Sequence, residues 1–227
     1  MSRRRNKFDT TEIKKPPLLP QTERQAEYMK AIAHAQQVIV LGPAGTGKTF
    51  IAATMAADLY ATKRIDKIIL TRPNVAAGRS IGFFPGSLEE KMAPWMAPVI
   101  DVLNKRLDKA VIDIALRNGN IEIIPFETMR GRSFSDAFVI LDEAQNTTVA
   151  EMKMFLTRVG ENCRVVMNGD IQQSDLNETS GLRKAIHMAK KHMLPVPVIE
   201  FDVEDVVRSG LCKMWIKAWI EEEKKTV

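Results

Sequence analysis

Cysteine is nearly missing from this chain. Among 227 residues there are only Cys163 and Cys212. Neither stands in a CxxC pair or a Cys/His cluster, which excludes a disulfide framework and a structural zinc site. Both read as small buried apolar side chains of a reducing compartment. Histidine is equally scarce. His34, His187 and His192 are scattered along the chain and suggest no metal triad. No apolar run approaches the ~18 residues of a membrane span. The opening MSRRRNKFDTTEIKK is basic but has no apolar segment behind it, so it does not read as a signal peptide, and a cytoplasmic location is expected. Excess charge is modest as well. A formal net charge of +5 suits a polyanionic partner without requiring one.

What is present is the material of one globular domain. The hydrophobic content is 45%, and the length supports a single sizeable core. Residues 1–20, basic and then rich in proline (KKPPLLP), read as a flexible tail, and residues 21–227 as the domain. Apolar runs of strand length occur at 36–41, 67–72, 121–125, 136–141, 162–168 and 196–201. Helical patterns occupy 22–35, the stretch TFIAATMAADLYA, 149–159, 180–192 and 204–224, and a further one over 87–107 is expected to break at Pro94 and Pro98. The strands lack clean alternation, as when both faces of a sheet are covered. The expected fold class is α/β, a mostly parallel sheet with helices on both faces.

One stretch carries the chemistry. LGPAGTGKTF, residues 41–50, matches the phosphate-loop pattern in full. Its glycines allow successive backbone N–H groups to turn toward one anion. The expected binding residues are Gly42, Pro43, Ala44, Gly45, Thr46, Gly47, Lys48, Thr49 and Phe50. Lys48 brings a cation to the β- and γ-phosphates, Thr49 a hydroxyl to Mg²⁺, and the helix that follows aims its N-terminus at the same anion. ATP and Mg²⁺ are the expected ligands.

Hydrolysis needs more than a cradle. The apolar run FVIL ends in Asp142 and Glu143, at the carboxyl end of a strand, where parallel sheets bind ligands. Asp142 suits the Mg²⁺ shell, and Glu143 suits a general base for attacking water. VVMNGDIQQSDL ends a third strand in the same way, with Gln173 three residues beyond Asp170 as a sensor of γ-phosphate. A plain polar turn is the other reading of that segment.

Taken together, GPAGTGKT, LTRP, VILDEAQN and GDIQQSDL resemble the helicase-type P-loop ATPases. TRPNVAAGRSIGFFPGSLEEKMAPW, MRGRSFSDAFVILDEAQNTTVAEMKMFLTR and SGLRKAI resemble the PhoH-like family of phosphate-starvation-inducible ATPases, over about residues 20 to 210. That resemblance implies a RecA-like, helicase-like core. It implies that Gln25 reads the adenine edge, that Lys48, Thr49, Asp142, Glu143 and Gln173 hold the roles above, and that Arg208 in DVEDVVRS is a transition-state arginine. Many relatives carry histidine where this chain has Ser209, so no role for that histidine carries over.

A single lobe leaves bound phosphates half-covered, so a head-to-tail homo-oligomer closing into a hexameric ring is expected, with Arg208 acting in its own chain or in the next. The motif order suggests RNA or single-stranded DNA as the substrate of a motor. Arg72, Arg79, Arg130 and Arg132, with Phe83 and Phe84, are candidate contacts. The alternative is an ATP-gated assembly or signalling protein that binds a protein partner. A nuclease and a small-molecule kinase rank below both.

Overall fold

Thr22 opens the ordered helices. Its side chain accepts a hydrogen bond from Gln25 N and caps α1 (Glu23–His34). The computed structural model describes residues 15–73, 88–171 and 179–225. After α1 come β1 (Gln37–Leu41), α2 (Lys48–Ala61), β2 (Lys67–Thr71), α3 (Leu88–Leu107), α4 (Lys109–Arg117) and β3 (Ile121–Ile123). Then follow β4 (Ala137–Leu141), α5 (Val149–Leu156), β5 (Arg164–Gly169), α6 (Gly181–Lys191), β6 (Val198–Glu200) and α7 (Gly210–Lys225).

The six strands form one parallel sheet in the order β3-β2-β4-β5-β1-β6. Alternate residues of each strand serve opposite faces. Val38, Val40, Ile68 and Leu70 join a core with α1, α2, α3 and α4. Ile39, Leu41, Ile69 and Val139 join a second core with α5 and α6. The strands are apolar throughout because both faces are covered, as the sequence implied. The register places Leu41 beside Gly169 and Leu141 beside Met167, so β1, β5 and β4 end together at one edge. The functional side chains gather there.

Some expectations change. The helix over 87–107 does not break: α3 runs through Pro94 and Pro98. Both prolines are exposed, while Met96, Val99 and Leu103 are buried along its inner side and hold the helix together. α4 fills 109–117, a stretch with no expected element. The C-terminal helix begins at Gly210 rather than 204, because Asp202 caps a separate 3₁₀ turn at Val203–Asp205 and the chain then runs extended along the phosphate loop. Residues 16–18 belong to the folded body: Leu18 packs on the core, and Pro16 O accepts from Arg106 at 2.6 Å. Residues 1–14 of the expected tail lie outside the described residues. Among the described residues, no helix is long and apolar enough to cross a membrane.

Candidate functional site

The loop after β1 is anchored before it turns. Gly42 N donates to Gly169 O at 3.2 Å, tying it to the end of β5. Gly42 has φ +134°, and a Cβ added there would lie 2.6 Å from Phe201 O. Only glycine lets the chain pass so close to the end of β6. Gly47, at φ +90°, caps α2, and a Cβ there would meet the Gln25 amide at 3.1 Å. The loop thus keeps its backbone exposed over the N-terminus of a 14-residue helix, a cradle suited to phosphate.

Lys48 Nζ donates to Gly42 O at 2.5 Å and Pro43 O at 2.8 Å across the cradle. Burial lowers its pKa, while the carboxylates of Asp170, Asp142 and Glu143 act in the opposite direction.

Oxygen donors converge beside it. Thr49 Oγ1 donates to Asp142 Oδ1 at 3.2 Å, and Asn168 Nδ2 lies 3.3 Å from Thr49 Oγ1 and 3.4 Å from Asp142 Oδ1. Burial raises the Asp142 pKa, and Glu143 adds to the rise. Arg72 and the hydrogen bonds from Asn168 and Thr49 oppose it. A hydroxyl and a desolvated carboxylate within reach of one point form a hard oxygen set that fits Mg²⁺.

Glu143 follows in a left-handed backbone conformation, φ +51°. Gln145 Nε2 donates to its Oε2 at 2.6 Å, and Gln145 Oε1 accepts from Asp170 N at 3.1 Å. One amide therefore joins the ends of β4 and β5. Arg72, at the end of β2, places its guanidinium 3.8 Å from Glu143 Oε1 and 4.7 Å over the Trp95 ring. Its buried Nε has no hydrogen-bond partner among the described residues.

α1 supports the loop from behind. Gln25 is 4% exposed; its Oε1 accepts from Gln21 N at 2.8 Å and its Nε2 donates to Thr46 O at 2.9 Å. The expected adenine reader thus has both amide atoms engaged by its own chain. Tyr28, fully buried, places its hydroxyl 3.3 Å from both Lys48 O and Asn168 Oδ1. Burial raises its pKa, with a smaller contribution from Asp142.

Arg208 lies at the rim of the same cleft. Val207 N donates to Gly45 O at 3.0 Å, and a Cβ added at Gly45 would lie 3.0 Å from Arg208 Cγ. The nearby Glu204 carboxylate is taken by Lys213 and Lys217. The cleft has a volume of about 600 Å³. Its polar end holds the residues above, and Leu18, Leu19, Phe50, Pro98 and Val102 line an apolar end suited to a base.

Lys48, Thr49, Asp142, Glu143 and Arg208 are therefore brought together. Gln173 lies outside the described residues, as do Arg79, Phe83 and Phe84. Arg132 is not at this edge; it pairs with Glu122 on β3 at 3.2 Å and leads toward the amino end of β4. Sequence reasoning missed Asn168, Gln145, Tyr28 and Trp95. Asn168 and Gln145 stand one and two residues from motif positions, which was the available signal. Tyr28 and Trp95 carry none outside the fold.

Comparison with known proteins gives the family. A family model described as PhoH-like protein matches residues 17–220. Protein PhoH of Escherichia coli strain K12 is 47% identical over 207 residues, covering 89% of this chain and 58% of that protein. A PhoH-like protein of Mycobacterium leprae is 44% identical over 207 residues, covering 90% of this chain and 59% of that one. The chain thus spans somewhat under two thirds of the length of these relatives. Among solved structures, the large terminase from a thermophilic bacteriophage superposes with a TM-score of 0.54 at 10% identity, over 85% of this chain and 48% of that one. That likeness is one of fold. With a complete phosphate loop, paired acids at the end of β4 and a family match over nearly its whole length, this chain has a P-loop core and belongs to the PhoH-like family.

Proposed function

We propose that this chain binds ATP with Mg²⁺, hydrolyses it, and uses the cycle to move or remodel RNA or single-stranded DNA as a self-assembled ring. The observation that carries the hydrolytic reading is the convergence of Lys48, Thr49, Asp142 and Glu143 at one sheet edge. Lys48 exchanges its two loop carbonyls for phosphate oxygens. Thr49 and Asp142 hold Mg²⁺, which when bound neutralises charge on the phosphates. Glu143, oriented by Gln145, takes a proton from water as its oxygen bonds to the γ-phosphorus. The bridging bond to ADP breaks, and ADP and phosphate leave. Arg208, beside its own phosphate loop, supplies positive charge to the γ-phosphate from within the chain. Gln173 reports the loss of that phosphate. The base rests on the apolar end near Phe50 and Leu19.

The nucleic-acid part draws support from the net charge of +5 and the family membership. The ring draws support from the open side of the cleft.

Lys48→Ala should abolish nucleotide binding, whereas Glu143→Gln should bind ATP and lose turnover. Normal turnover in Glu143→Gln would sink the general-base role. Steady-state hydrolysis with and without single-stranded RNA or DNA tests the substrate. Stimulation that fades as salt rises supports backbone contact. Turnover indifferent to both strands favours the protein-partner alternative.

A further inference from the structure

α7 is a helix with too little to rest on. None of residues 210–222 is buried. Its inner side sets half-buried Cys212, Ile216 and Ile220 toward the domain, and Lys213 and Lys217 reach Glu204. The adjoining, solvent-facing side repeats apolar residues at helical spacing. Leu211 and Met214 are each 67% exposed, and Trp215 and Trp219 each 61%. A helix apolar over so wide an arc belongs in an interior or an interface.

We propose that this outer face is where a second copy of the chain docks. The area argues for a copy. A tryptophan covers roughly 150–250 Å² when buried, so two at this exposure, with Leu211 and Met214, offer on the order of 500 Å² of apolar surface. That is already the largest patch a typical monomer leaves open. Matched by an equal area on another copy, it buries about 1,000 Å², the scale at which specific association begins. Position argues the same way. α7 starts two residues after Arg208, where the backbone is bonded to the phosphate loop through Val207 N and Gly45 O. A copy seated on α7 stands beside the cleft's open rim, where a single lobe gives the phosphates least cover. The inference deepens the ring reading by naming the surface, but the contact itself does not depend on nucleotide chemistry.

The test is sedimentation equilibrium of the whole chain over a wide concentration range, against Trp215→Glu/Trp219→Glu. Both side chains are exposed, so the variant folds; far-UV circular dichroism and binding of a fluorescent ATP analogue check this. The wild type should self-associate, and the variant should associate about 30-fold more weakly or worse, the loss expected for central tryptophans. In a Trp95→Phe background, tryptophan emission should shift to the blue as concentration rises. A wild type that stays monomeric, or a variant that associates as well as the wild type, would overturn the proposal. So would emission that reports buried tryptophans at every concentration, since the covering surface would then lie in the same chain. Failure of ATP binding with association intact would count against the proposed function alone.

Discussion

Gln25→Ala separates two jobs that a glutamine can do at this site. Its amide is buried and makes two hydrogen bonds, from Gln21 N at 2.8 Å and to Thr46 O at 2.9 Å. Each is worth about 1 kcal/mol net, and leaving the fully buried Thr46 with an unpaired carbonyl adds roughly 1–3 kcal/mol. The total is roughly 3–5 kcal/mol. In a domain of this size each kcal/mol lowers the melting temperature by roughly 2–4 °C, so a fall of about 6–20 °C is expected. Calorimetry or thermal circular dichroism without nucleotide measures it. Because the bond supports the phosphate loop, affinity for ATP and GTP should fall by the same factor. The family resemblance implies another outcome, in which Gln25 reads adenine and the variant loses its preference for ATP over GTP. A melting temperature within about 2 °C of the wild type, with that preference lost, would refute the bracing role.

Three further outcomes follow from the geometry. Asp142→Asn should stabilise the nucleotide-free protein at neutral pH while ending Mg²⁺-dependent turnover. Burial raises the Asp142 pKa, so the unfolded state ionises first and stability falls as pH rises through the folded value; the asparagine variant should lack that fall in a pH series of melting curves. Arg72→Ala should lower kcat by about 10–100-fold with ATP affinity little changed, because it removes the cation facing Glu143; Arg72→Lys should recover part of the loss. Gly42→Ala should cost about 3 kcal/mol or more, read by denaturant unfolding, since its Cβ would press on Phe201 O from a left-handed backbone.

The sequence made the edge of the sheet legible because a phosphate loop and paired acids at a strand end are local patterns. The covered faces were legible too, since Val38–Leu41 and Ala137–Leu141 are apolar at every step. What escaped were facts set by distant packing. Proline argued against a continuous α3, yet burial of Met96, Val99 and Leu103 outweighed two lost backbone bonds. α4 went unassigned although Ile112 and Ala115 sit at helical spacing. Gln25 and Arg72 were visible as residues, but their partners, Thr46 and Glu143, lie far along the chain.

The way the phosphate loop is enclosed bears on when it can work at all. β1 is formed early in synthesis, yet its sheet neighbours are β5 and β6, and Tyr28 waits for Asn168, 140 residues further on. Gly42 meets Phe201, and Gly45 O meets Val207 N. A nascent chain stopped before β5 therefore carries the whole nucleotide motif without the walls that shape it. Contacts this distant in sequence also slow folding. Under the proposed function, nucleotide capture then waits for nearly the whole domain, because a growing chain lacks the walls of the cleft until β6, the last strand among the described residues, is in place.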